Sequence, residues 1–156
     1  MEGRLSENAI LTLVETADIG GTNAASGYVS MSGFDRAMAY VELGTWNATD
    51  DLDECRLEQD IGDSSPKDLT TDASAGNYDT DAPVDADGDF VIIEVRASEL
   101  DHAGGFDLIR SYTAEGGNTG TDNVTTMLTR YDAANAAEQL QGAAVAGSKV
   151  YVDINT

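Results

Sequence analysis

Short runs in which apolar and polar residues alternate recur along the chain, and this period of two limits the fold more than any other feature. Each run ends at a cluster of Gly, Asp, Asn or Ser. Since successive side chains of a β-strand point to opposite faces, such runs predict half-buried strands. We predict strands at residues 10–15, 27–30, 36–43, 54–59, 90–97, 106–112, 124–131 and 150–154. The sequence therefore predicts an all-β fold.

The strand predicted at 36–43 indicates how these strands pack. One of its faces is apolar and the other is mixed; the apolar face consists of Ala37, Ala39, Val41 and Leu43. An apolar sheet face must be covered, and in an all-β chain the usual cover is a second sheet. We expect an antiparallel β-sandwich or jelly roll, with a partly open barrel as the alternative. The expected shared core includes Val41, Leu43, Leu57, Val91, Ile93 and Val95.

A chain of 156 residues is long enough for one domain with a sizeable core. Long polar loops are predicted at 20–27, 60–89 and 114–123, and loops of this length are usually functional or ordered by a partner. The alanine-rich stretch 132–147 predicts either a short helix with Asp132 as its N-cap or a docking arm. We expect a single sandwich domain over 1–156, with docking arms at 1–27 and 132–156.

The net charge is −21, from 29 acidic and 8 basic residues. Without a Lys/Arg cluster, such a chain repels phosphate backbones and anionic membranes, so we expect no nucleic-acid or membrane partner. We also expect no signal peptide, since residues 1–8 are polar and acidic, and no membrane-spanning run. The only lysines are Lys67 and Lys149, and this Asp-rich, lysine-poor bias indicates a halophilic or marine host. The alternative is an ordinary acidic protein.

The segment PVDADGDFVIIEV, residues 83–95, has some features of a calcium loop. With Gly88 at the sixth position of a twelve-residue loop, Glu94 falls at the twelfth, but the first position falls on Pro83, which has no side-chain oxygen. A β-branched run also follows where the motif needs a helix. We therefore favour an acidic, solvated turn before a strand. A weak candidate cation site among Asp79, Asp81, Asp85, Asp87 and Asp89 is the alternative.

Residues able to carry catalysis are few. The single cysteine, Cys55, alternates with charged neighbours and is predicted to be a buried apolar residue, and the single histidine, His102, lies in a Gly-flanked loop. A triad of His102, a serine and Asp101 or Asp107 is a minor alternative, as is acid–base chemistry by the pairs Asp50-Asp51 or Asp53-Glu54. Trp46 is expected to cap the sandwich edge, with a carbohydrate platform as the alternative. We expect neither an enzyme nor a cofactor.

Two segments carry a resemblance to a known class of proteins: SGFDRAMAYVELGTWNATDDLDECRLEQ and DGDFVIIEVRASELDHAGGFDLIRSYTAEGGNTGTDNVTTMLTRYDAA. Together they resemble the small β-sandwich decoration, cement or minor capsid proteins of tailed double-stranded-DNA viruses, over residues 32–134. The matching pieces are residues 41–44, 57–59 and 90–97 and the pair Gly105-Phe106. The Asp-rich loop 79–89 and the alanine-rich C-terminal stretch depart from the pattern.

The resemblance implies a virion structural protein with no catalytic residues. Such a protein is made in the host cytoplasm, binds the major capsid protein on the outside of the shell, and is expected to form a homotrimer. A protein outside the shell need not contact DNA, which is compatible with the negative charge. The alternative function is a carbohydrate- or cation-binding surface module of a virion or cell.

Overall fold

The computed structural model describes residues 9–47, 52–62, 65–70, 86–115 and 120–133. Within these residues the regular structure is all β-strand except for two short 3-10 helices, Ala97–Glu99 and His102–Gly104. The strands are β1 (Ala9–Asp18), β2 (Asn23–Ala25), β3 (Val29–Ser30), β4 (Phe34–Leu43), β5 (Leu52–Asp60), β6 (Lys67–Asp68), β7 (Phe90–Arg96), β8 (Leu108–Glu115) and β9 (Asn123–Ala133). Within these ranges no helix is long and apolar enough to cross a membrane.

The strands form two antiparallel sheets. The first sheet has the order β1-β9-β4-β7, and the second has the order β2-β8-β5-β6, with β3 pairing β8 beyond β2. Apart from the β2–β3 and β5–β6 links, each connection passes from one sheet to the other. This alternation over two stacked antiparallel sheets is the arrangement of a jelly roll. The predicted all-β sandwich is confirmed.

The core lies between the sheets and follows from the alternation in β4. Ala37, Ala39, Val41 and Leu43 are fully buried. In register beside three of them lie Val95, Ile93 and Val91 of β7. The second sheet contributes Leu52, Cys55, Leu57 and Ile109, also fully buried. Of the six predicted core residues, five are buried and Val91 is half-buried against the cluster, so the predicted core is confirmed.

The side chain of Arg130 links the two sheets at one end of the sandwich. Arg130 lies beside Ala37 on the core-facing side of β9 and is only 8% exposed. Its Nη1 donates to the Ser30 carbonyl oxygen at 2.6 Å, and its guanidinium lies over the Phe34 ring at 4.2 Å. Arg130 therefore ties β9 of the first sheet to β3 of the second.

Several predicted boundaries are wrong. A helix cannot begin at Asp132, because β9 continues to Ala133. The strand predicted at 106–112 begins only at Leu108, since the Phe106 N–H instead donates to the Asp101 carbonyl oxygen within a turn. Strands β2 and β6 lie inside predicted loops and lack apolar alternation.

The two predicted docking arms lie only partly within the described residues. Within 1–27, residues 9–18 form β1 and 23–25 form β2. Residues 134–156, which include the strand predicted at 150–154, lie outside the described residues. A docking role for these segments stays a prediction.

Candidate docking face

The outer face of the first sheet carries a row of apolar side chains across all its strands. Val14 of β1 pairs with Met127 of β9, which pairs with Tyr40 of β4, which pairs with Ile92 of β7. These residues alternate with core residues such as Ala39 and Ile93, so their side chains point away from the core. At the two ends of this row, Val14 is 55% exposed and Ile92 is 54% exposed.

Neighbouring positions widen this row into a patch. Leu11 is 48% exposed and Phe90 is 53% exposed, and the Phe90 ring stacks on the Tyr40 ring with centroids 5.2 Å apart. We call this surface the apolar face: Leu11, Val14, Met38, Tyr40, Phe90, Ile92 and Met127. Of the exposed large apolar residues in the described part of the chain, only Ile61 lies outside it.

Polar groups border the apolar face at both ends of the strands. At one end, Arg36 pairs with Glu94 at 3.2 Å. Burial, together with a hydrogen bond to Glu94, raises the pKa of Tyr131 at this end to about 12. At the other end, the hydroxyl groups of Thr16 and Thr125 lie 3.0 Å apart. The apolar face therefore has the polar rim that is typical of interaction surfaces.

The outer face of the second sheet is different, because a network of charges covers it. Glu58 is 5% exposed and accepts from Arg56 at 3.1 Å and from Arg110 at 2.8 Å. Arg56 also pairs with Asp68 at 2.8 Å and lies over the Tyr112 ring at 4.1 Å. We call this the ionic face: Glu54, Arg56, Glu58, Asp68 and Arg110. Each of these charged groups forms an ion pair with another residue of the face.

In the Asp-rich turn before β7, two carboxylates accept hydrogen bonds from the backbone. Asp87 accepts from the backbone N–H of Trp46 at 2.7 Å, and Asp89 accepts from the backbone N–H of Ala86 at 3.2 Å. Gly88 has φ of 85°, as a tight turn requires. The other carboxylates of the candidate cation site, Asp79, Asp81 and Asp85, lie outside the described residues. No group of His, Cys, Asp or Glu suited to a metal ion occurs in the described ranges.

The candidate catalytic residues are only partly brought together. His102, Asp107 and Ser32 line one open groove of about 360 Å³. However, the His102 Nε2 lies 2.7 Å from the Ala97 carbonyl oxygen, and no hydrogen bond between described residues joins it to a serine. Asp101 instead binds Lys67 at 2.5 Å. Among the described residues that line this groove, no nucleophile is hydrogen-bonded to His102.

The remaining candidate functional residues that the structure describes lie in the core or in ion pairs. Cys55 is fully buried in the core, as predicted. Trp46 is only 7% exposed, so it presents no open ring on which a sugar could stack. Glu54 binds Arg56 in the ionic face. The pair Asp50-Asp51 lies outside the described residues.

The apolar face could not be found from the alternation alone. The sequence indicates that residues 36, 38, 40 and 42 face away from the core, but not what stands beside them. Only the pairing of β1, β9, β4 and β7 aligns Val14, Met127, Tyr40 and Ile92.

No known family, curated protein or solved structure matches the chain.

Proposed function

We propose that the protein is a capsid decoration or cement protein that binds the outer surface of a major capsid lattice and stabilises it. The observation that supports this is the difference between the two outer faces. One is apolar and exposed, whereas the other has its charges paired within the chain. A protein of net charge −21 has acidic residues to cover its surface, so a four-stranded apolar face indicates a surface that a partner covers.

The size of the apolar face sets the expected strength of binding. With strands about 4.8 Å apart and about 3.4 Å per residue, a face of four strands and about five residues covers on the order of 300 Å². A stable protein interface buries about 800 Å² on each partner. One face alone should therefore bind weakly, and repeated sites on a lattice would add to its occupancy through avidity.

The proposal also covers where the protein is made and where it acts. A jelly roll is an architecture that viral capsid proteins share with lectins, so the fold permits a capsid role without selecting it. The protein would be made in the host cytoplasm and would act on the virion surface, where it need not approach DNA. Its partner would be the major capsid protein.

The test compares two exposed positions in binding to capsids stripped of the native protein. Val14→Glu places a charge in the apolar face, and Ile61→Glu places the same charge at an exposed apolar residue outside it. We expect Val14→Glu to lower occupancy at least tenfold and Ile61→Glu to leave it unchanged, with both variants folded by circular dichroism. Equal occupancy of the two variants would contradict docking through this face.

A further inference from the structure

The edges of the two sheets are not equally protected against pairing with another strand. Strand β1 is interrupted by a bulge between Leu11 and Leu13. The edge formed by β2 and β3 is broken into pieces of 3 and 2 residues, and β6 has only 2 residues, one of them Lys67. Bulges, short strands and lysines are the devices by which sheet edges avoid pairing.

Strand β7 has none of these devices. It pairs with β4 over all 7 of its residues without a register shift, and it contains neither Pro, Gly nor Lys. Its sequence, FVIIEVR, is neutral in a chain of net charge −21, because Arg96 offsets Glu94. In the described part of the chain, no strand lies on its other side. A long, neutral, apolar edge of this kind favours strand addition.

The register with β4 determines which backbone groups of β7 are free. The Leu43 N–H donates to the Asp89 carbonyl oxygen at 2.8 Å, and hydrogen-bonded pairs recur at every second residue of an antiparallel ladder. Val91, Ile93 and Val95 therefore bond to β4, whereas Phe90, Ile92, Glu94 and Arg96 direct their N–H and C=O groups to the open edge. The Arg96 N–H agrees with this, since the Glu99 side chain caps it at 2.7 Å.

The backbone groups on the open edge of β7 can pair with the same groups of a second copy of β7. If a second β7 runs antiparallel with Ile93 opposite Ile93, Ile92 bonds with Glu94 and the Phe90 N–H reaches the Arg96 carbonyl. The Phe90 ring then faces the Arg96 guanidinium, a favourable cation–π pair, and no like charges oppose each other. A shift by two residues brings either Glu94 opposite Glu94 or Ile92 opposite Ile92 and leaves end groups unpaired.

We infer that two copies of the chain associate through β7, centred on Ile93, so that the two four-stranded first sheets join into one continuous sheet. The association is two-fold, so it favours a dimer, whereas the resemblance implies a trimer. It would place two apolar faces side by side on one surface. Because it involves only this chain, it is independent of the proposed capsid function.

The first test uses a matched pair of variants at one residue. Ile92→Pro removes an N–H that points to the open edge and leaves the β4 bonds in place, since proline is tolerated on an edge strand. Ile92→Ala shortens the side chain but keeps that N–H. In molar KCl we expect light scattering to give a dimer mass for the wild type and for Ile92→Ala, and a monomer mass for Ile92→Pro with its circular dichroism unchanged.

Residue-resolved hydrogen exchange provides the second test, which does not depend on any variant. In a monomer with an open edge, the amides of Phe90, Ile92 and Glu94 exchange fast while those of Val91, Ile93 and Val95 are slow. In the inferred dimer both sets are slow, and the first set loses its protection on dilution. A wild type that stays monomeric, a trimer mass, a dimer unaffected by Ile92→Pro, or protection independent of concentration would each overturn the inference. Failure of capsid binding would alter none of these measurements.

Discussion

Ile92 and Ile93 are adjacent in sequence and lie on opposite faces of β7. Ile93 is 4% exposed in the core, whereas Ile92 is 54% exposed on the apolar face. Ile93→Ala should lower the free energy of unfolding by about 2–5 kcal/mol, since it removes buried methyl groups and leaves a cavity. Ile92→Ala should cost about 1 kcal/mol or less. Urea denaturation of both variants checks this, and equal losses would contradict the assignment of faces.

Glu94 is the residue whose ionisation reports most directly on the rim of the apolar face. Hydrogen bonds from Tyr131 and from Arg36 lower the pKa of this carboxylate. Tyr131→Phe removes the larger contribution, so the pKa of Glu94 should rise toward its ordinary value. Tyr40→Phe is the control, because the Tyr40 hydroxyl donates to Glu42 instead. NMR titration of the Glu94 carboxyl carbon measures both variants.

The direction of this shift also fixes its effect on stability. A carboxylate whose pKa is lower in the folded state stabilises the fold at pH values above its unfolded pKa, about 4.3 for Glu, and that stabilisation is lost as pH falls through the folded pKa. The part of the stability difference between wild type and Tyr131→Phe that comes from this ionisation should therefore vanish at low pH. An unchanged pKa of Glu94 in Tyr131→Phe would contradict the assigned hydrogen bond.

At the scale of elements, the pairing of β5 with β8 depends on a buried carboxylate. Glu58 lies opposite Arg110 and also binds Arg56, and these two arginine side chains are only 21% and 17% exposed. Removing one partner of a buried ion pair costs about 3–5 kcal/mol, so Glu58→Ala should approach the lower value because the arginines retain some solvent.

Glu54→Ala is the matched control for Glu58→Ala on the same strand. The Glu54 side chain is 43% exposed, and its loss should cost about 0.5 kcal/mol. Thermal denaturation compares the two variants at one salt concentration. A smaller loss for Glu58→Ala than for Glu54→Ala would mean that the ionic face does not stabilise the β5–β8 pairing.

The elements also show what the sequence could predict. The sequence predicts strands β4 and β7 because their apolar residues alternate over many positions. Strand β6 is not predicted, because Lys67 and Asp68 carry no apolar pattern and join the second sheet by pairing with Gln59 and Glu58. The backbone N–H of the buried Trp46 donates to Asp87, a contact with a distant segment that the residues around Trp46 do not indicate. Local patterns in the sequence are enough to predict the class of fold. The short strands and the apolar face depend on contacts between distant segments, which local patterns do not indicate.

At the scale of the whole molecule, charge should control stability. A net charge of −21 strains the fold by self-repulsion in dilute buffer. Raising KCl from about 0.1 M to about 1 M shortens the Debye length from about 10 Å to about 3 Å and screens this repulsion. The melting temperature should therefore rise across that range. A flat or falling melting temperature would remove the high-salt interpretation.

The orientation of the protein on a virus particle is the most direct test of the proposed docking. Cryo-electron microscopy of particles that carry the protein, with mass spectrometry of their proteins, would show which face meets the shell. We expect the apolar face, with Val14, Tyr40 and Ile92, to lie against the major capsid protein and the ionic face around Glu58 to point to solvent. Particles that lack the protein, or that hold it with the ionic face against the shell, would contradict the account.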